Sequence, residues 1–261
     1  MSDILKSVNS LHLEDLGNEI HPSIFDTNEE YQMLIVRLPI INKELTFTSI
    51  GFIITDDSSF FYDKSKHEFQ KLDSRFEAPH KILNTLVDKL LKSFENYRDS
   101  ISNIEETLYE NKSTDSFMNE WLGLKRDILR IERILIHTTA TISDVIESYK
   151  EADNFPINNY ADLHEHLDRT LRSATLQFSK LDYLYNFYSA RTNEKMNHLI
   201  YTLTIISAIF LPLNLLVGFF GMNTSGLPFT SGATGTFSVI GLILIISVTT
   251  TLIINFIRKK N

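Results

Sequence analysis

The feature that limits this chain most is residues 199–257, which contain no Asp, Glu, Lys, Arg or His. They divide into two apolar runs, 199–220 and 237–257, joined by the uncharged loop 224–236. A basic end follows at Arg258-Lys259-Lys260. Each run supplies about 20 residues, which at ~1.5 Å per residue matches a hydrocarbon layer of roughly 30 Å. The pattern predicts two membrane-crossing helices. A hairpin buried in a large soluble core is the alternative, but helices of that kind usually keep a wet, charged face.

The mean hydropathy of −0.07 averages two unlike halves, because almost all the charge precedes Leu199. A net charge of −8 argues against nucleic-acid binding, which needs clustered Lys and Arg. Without cysteine the chain has no disulfides, thiolate metal sites or thiol nucleophiles. The first ten residues lack an apolar signal-peptide core, so the long N-terminal part is expected to stay in the cytosol. The basic end favours an inside C-terminus, and both ends inside agrees with two crossings.

Before the apolar runs, a short helix is predicted around residues 11–18, then strands over 31–41, 44–55 and 58–63. This is read as a small α/β part occupying 1–78. It shows no Gly-rich phosphate loop and no nucleophile–base set, so an enzyme is not expected. From Leu83 the apolar residues Val87, Leu90, Phe94, Tyr97, Ile101, Ile104 and Leu108 step by three and four. A turn at 111–114 and a second series, Trp121, Leu124, Ile128, Ile131 and Leu135, predict an antiparallel helical hairpin over 79–159. Asn154-Phe155-Pro156 ends its second helix.

A third helix is expected from Tyr160, with a seam of Leu163, Leu167, Leu171, Ala174, Phe178, Leu181 and Tyr185. Neither Pro nor Gly interrupts it before Pro212. It is therefore predicted to run as a stalk over 160–198 and on as a first membrane helix over 199–223, ~90 Å to Phe220. Such a rod cannot bury itself alone. Within it Ser207, Leu211, Asn214, Gly218 and Gly221 step by four, three, four and three along one face. That stripe suits either a dry helix–helix interface or a ring of helices around a narrow polar path. The bulky 237–257 run suits an outer, lipid-facing helix, and 258–261 form a basic tail.

Gly221-Met222-Asn223 placed after a first membrane helix, with a second helix and a basic end, resembles the CorA superfamily of divalent-cation transporters. The likeness extends to Arg191-Thr192-Asn193-Glu194-Lys195-Met196-Asn197, to the Leu203–Leu213 segment, to Asp162-Leu163-His164-Glu165-His166, and loosely to His12-Leu13-Glu14-Asp15-Leu16. The resemblance implies a funnel-shaped homopentamer in the cell (inner) membrane, with both termini cytoplasmic. In it Gly221, Met222 and Asn223 form the selectivity motif, and Asn223 receives the water shell of a hydrated cation. Asn214 makes the next polar ring, Leu211 and Leu203 make constrictions, Ser207 and Gly218 line the same path, and Asn197 lies near the inner mouth. Amide oxygens can hold a hydrated Mg²⁺ through its waters without trapping it.

The family's magnesium branch closes its pore with metal held by acidic residues. By resemblance Asp162 is a candidate for that role, with His166 on the same helical face; an ordinary solvated Asp–His pair is the plainer alternative. A second family acid corresponds to Asn186, a departure from the pattern. The loop Thr224-Ser225-Gly226-Leu227-Pro228-Phe229-Thr230 lacks the acidic residues of magnesium-type members, and its Gly226-Leu227-Pro228 looks more like the zinc-transporting ZntB branch. The expected function is divalent-cation transport (Mg²⁺, with Co²⁺ or Ni²⁺), with proton-coupled zinc transport as the alternative. A non-conducting membrane-anchored scaffold is a third reading. No bound cofactor is expected beyond the transported or regulatory cation.

Overall fold

The computed structural model describes residues 7–42, 44–110, 116–222 and 232–260. The chain divides into two units, Met1–Asn186 and Phe187–Asn261. The first begins with helix α1 (Ser10–Gly17), capped by the Asn9 side chain accepting from the Leu11 N–H. Five strands follow: β1 (Ile24–Thr27), β2 (Gln32–Ile41), β3 (Leu45–Ile54), β4 (Ser59–Asp63) and β5 (Glu68–Lys71). They form one sheet in sequence order, and every neighbouring pair is antiparallel. The sequence reading placed three of these strands; β1 and β5 are four residues each, too short to carry a period-two signal. The α/β part is accordingly an antiparallel meander with helices on both faces, not a parallel sheet with crossovers.

Alternation along β2 and β3 separates two cores. Met33, Ile35 and Ile53 join Leu16 of α1, Tyr31, Tyr62 and Phe69 on one face. Leu34, Val36, Leu38, Phe52 and Ile54, also buried, point to the other face, where the long helices pack. Pro39 is tolerated within β2 because β1 pairs only with residues 32–35 and leaves that edge free. Ser23, just before β1, extends the ladder by accepting the Arg37 N–H at 2.8 Å.

Helices α2 (Glu77–Tyr109), α3 (Phe117–Tyr149) and α4 (Ile157–Phe220) come next. All the α2 seam residues from Leu83 to Leu108 named above are buried. Tyr97 Oη donates to Asp127 Oδ2 at 3.0 Å, and Trp121 Nε1 donates to the Leu181 carbonyl at 2.8 Å. Lys180 pairs with Glu105, and His80 meets the Asn159 carbonyl. These levels make α2 parallel to α4 and α3 antiparallel to both. Asn154, with φ of 62°, turns the chain between α3 and α4, a conformation asparagine tolerates better than most residues. The predicted turn at 111–114 lies outside the described residues.

The α4 seam differs from the heptad reading. Its buried stripe runs through Tyr160, Leu163, Leu167, Thr170, Ala174, Gln177, Leu181 and Leu184. Leu171 and Phe178 are only half-buried and Tyr185 is exposed. With two partner helices, the innermost line of α4 falls between its two apolar rows. The aromatics therefore flank the seam: Tyr185 stacks on Trp121 at 4.8 Å, and Phe178 lies under the Lys125 ammonium. Thr170 sits inside because its hydroxyl donates to the His166 carbonyl one turn back.

In the second unit α4 continues to Phe220, and α5 (Gly232–Lys260) follows. This last helix starts inside the stretch read as loop and runs through most of the basic tail, since no proline interrupts residues 232–260.

Candidate functional site

Residues 199–220 form the C-terminal part of α4, a helix long and apolar enough to cross a membrane. Ile157–Phe220 continues through Pro212, which has no N–H for the Ala208 carbonyl. None of its most apolar window is buried within the chain. Leu203, Leu211 and Leu215 are 63%, 68% and 75% exposed, an apolar surface no protein leaves in water. Asn197, Asn214 and Gly218 are exposed as well, and Ser207 is half-buried. Ser207, Leu211, Asn214 and Gly218 thus lie along one side of an uncovered helix.

Two threonine hydroxyls in this region are satisfied locally: Thr202 donates to the His198 carbonyl and Thr204 to the Ile200 carbonyl. Asn214 is different. Its amide has no hydrogen-bond partner among the described residues, and it cannot reach its own backbone ladder as a threonine does. A primary amide left unpaired in hydrocarbon costs several kcal/mol by order of magnitude. Such a side chain demands water, an ion or another amide.

Gly221 closes the helix, its N–H bonding to the Val217 carbonyl at 2.8 Å. A Cβ there would come 2.9 Å from that same oxygen, so the position excludes any side chain without distortion. Met222 is exposed beside it, and Asn223, with residues 224–231, lies outside the described residues.

At the start of α4, His166 stands between two carboxylates. Its Nε2 is 3.7 Å from Asp162 Oδ1 and its Nδ1 is 4.0 Å from Asp88 Oδ1. Asn84 donates to Asp88 Oδ2 at 3.3 Å, while His166 Nδ1 is buried without a hydrogen bond. Asp88 was missed in the sequence because α2 was read for its apolar seam alone; the parallel packing of α2 on α4 brings it here. Among the described residues no group of three or more His, Asp or Glu side chains is arranged to hold a metal ion. Immediately before His166, Glu165 is held below the usual carboxylate range by its hydrogen bond from Arg169. Asn186 is exposed at the end of the first unit.

Residues 52–259 match the family model described as CorA-like Mg2+ transporter protein. The chain belongs to that family. It is a family of transporters, not of enzymes. Among CorA relatives, the cobalt/magnesium transport protein CorA of Methanocaldococcus jannaschii is 23% identical over 242 residues, covering 85% of this chain and 74% of the relative. The zinc transport protein ZntB of Vibrio parahaemolyticus is 26% identical over 147 residues, covering 56% of this chain and 46% of the relative. The match thus spans about half the length of the bacterial relatives aligned over the shorter stretches. The complete structure of the CorA magnesium transporter from Methanocaldococcus jannaschii has a CorA fold that superposes on 97% of this chain and 84% of its own. The TM-score is 0.76 at 18% identity. The antiparallel sheet, helical bundle and long apolar helix described above are that fold.

Proposed function

We propose that this chain is the subunit of a homopentameric divalent-cation transporter, in which copies of α4 surround a shared axis through the membrane. The observation that carries this is Asn214, an unpartnered amide on an exposed apolar helix in line with Ser207, Leu211 and Gly218. Around an axis, copies of that amide face water and each other, and the aliphatic residues beside them narrow the path. Asn223 receives the hydrated ion at the outer mouth, and Asn197 lies at the inner one. An ion whose waters stay on can be handed between amide rings without binding so tightly that it stops. The funnel-shaped part and both termini lie on the cytoplasmic side. Asp162 and His166, with Asp88 beside them, contribute to a regulatory divalent-cation site whose remaining ligands come from neighbouring copies.

Mg²⁺, with Co²⁺ or Ni²⁺, is the preferred cargo. Zinc transport is favoured by one feature, the carboxylate-free loop with Gly226-Leu227-Pro228, and fits the kinship with a zinc transport protein. Uptake into proteoliposomes, compared for Mg²⁺, Co²⁺, Ni²⁺ and Zn²⁺ with and without a pH gradient, separates the two. Asn223→Ala and Asn214→Ala are expected to abolish metal-stimulated flux while the oligomer stays intact. Wild-type flux from both variants, or a monomeric particle, refutes the proposal; no flux for any cation in the wild type favours a scaffold.

A further inference from the structure

We infer that a groove between α2 and α4 binds a phosphate-bearing anion, independently of the cation path. A cavity of about 300 Å³ is lined by Lys92, Glu95 and Arg98 of α2 and by Arg169, Thr170 and Ser173 of α4, with Leu91 and Phe94 as its apolar wall. Three cations face one carboxylate, in a chain whose formal net charge is −8.

Several basic groups of the bundle are held by acids: Lys180 by Glu105, Lys125 by Asp182, Arg172 by Asp168. Lys92 and Arg98 are not. Glu95 lies three residues from each on the same helix, the spacing at which ion pairs form, yet neither pairs with it among the described residues. Arg169 keeps Glu165 at 2.7 Å through one nitrogen, and its remaining donors are free. Thr170 has spent its proton on the His166 carbonyl, whereas the Ser173 hydroxyl has no partner and can donate.

Two guanidiniums, an ammonium and a free hydroxyl match a tetrahedral, multiply charged acceptor better than a carboxylate, which offers only two oxygens. The cavity is larger than a bare phosphate needs, and its Leu91–Phe94 wall suits an organic substituent. A free metabolite carrying a phosphate monoester has this chemistry. It would tie α2 to the helix that continues to Phe220.

The test is calorimetric titration of the full-length purified protein with phenyl phosphate, in buffer containing a chelator so that no metal contributes. Wild type is expected to bind. The exposed double substitution Lys92→Gln/Arg98→Gln is expected to weaken binding about tenfold or more, the loss of one to two charge-assisted hydrogen bonds. Glu95→Gln is expected to tighten it. Arg126→Gln/Arg133→Gln, which removes equal charge from α3 away from the groove, should leave it unchanged. Absence of binding in wild type overturns the inference, as does equal weakening by the two double substitutions.

Discussion

Trp121 donates its indole N–H to the main-chain carbonyl of Leu181 at 2.8 Å, joining the hairpin to the helix that carries the apolar segment. The same ring stacks on Tyr185 and lies 5.0 Å from the Lys125 ammonium, which pairs with Asp182. The upper end of the bundle is therefore clamped by one side chain with a directional bond and two flat contacts. Trp121→Phe keeps the ring but loses the donor, and is expected to lower stability by about 1 kcal/mol. Trp121→Ala adds a cavity and should cost about 3–5 kcal/mol. Thermal denaturation of the purified protein checks the order; a Trp121→Phe variant as stable as the wild type would show that the hydrogen bond contributes nothing, and equal losses in the two variants would show that the ring contacts contribute nothing.

Gly51 pairs with Ile35 across the sheet, and Leu16 sits directly above it. A methyl at Gly51 would come 2.3 Å from Leu16 Cδ2. Gly51→Ala should therefore lift α1 and destabilise the fold by about 1–3 kcal/mol. The double substitution Leu16→Ala/Gly51→Ala should be less damaging than the sum of the two, because the added methyl then fills the space vacated. Additive losses would mean the two positions are not in contact.

His80 is held below its ordinary pKa of 6.5, first by burial, with the Asn159 carbonyl, Asp162 and Glu77 opposing the shift. Its ring packs at 5.4 Å on Tyr160 at the start of α4. The unfolded chain binds the proton more readily than the folded one. The contribution of His80 is thus complete above pH 6.5 and is lost as pH falls from there toward the lower folded-state value. The thermal midpoint should drop between about pH 7.5 and pH 5 by more in the wild type than in His80→Gln. Identical pH profiles would remove His80 from the account.

If Asp162, Asp88 and His166 hold a regulatory cation, millimolar Mg²⁺ should slow proteolysis of the first unit of the wild-type chain. Asp162→Ala and Asp88→Ala should each abolish that protection, and the pair together should do no more than either alone. A digestion pattern unchanged by both substitutions leaves the three residues as a solvated cluster.

Much of this was legible in the chain. The three long helices could be read because heptad stepping over four or more turns has few alternatives. The small strands β1 and β5 could not, since four residues do not establish a period. On α4 the two apolar rows were visible, but the inner line was misplaced by one residue every second turn. Burial of Thr170, Gln177 and Leu184 there depends on where α2 and α3 sit, which no local pattern records. Asp162 and His166 are one turn apart and could be paired from sequence, whereas Asp88 lies on another helix.

By itself the sequence determined that a long apolar run ends at Gly221-Met222-Asn223 inside an uncharged segment, because charge exclusion and apolar length are properties of the residues in order. The tertiary structure decided which polar groups remain without partners. It placed Asn214 on an uncovered helix face, His166 between carboxylates from two helices, and Lys92 and Arg98 beside Glu95 in one groove without an ion pair among the described residues. A partner is a matter of distance in space, and residues far apart in the chain become neighbours only when the bundle closes.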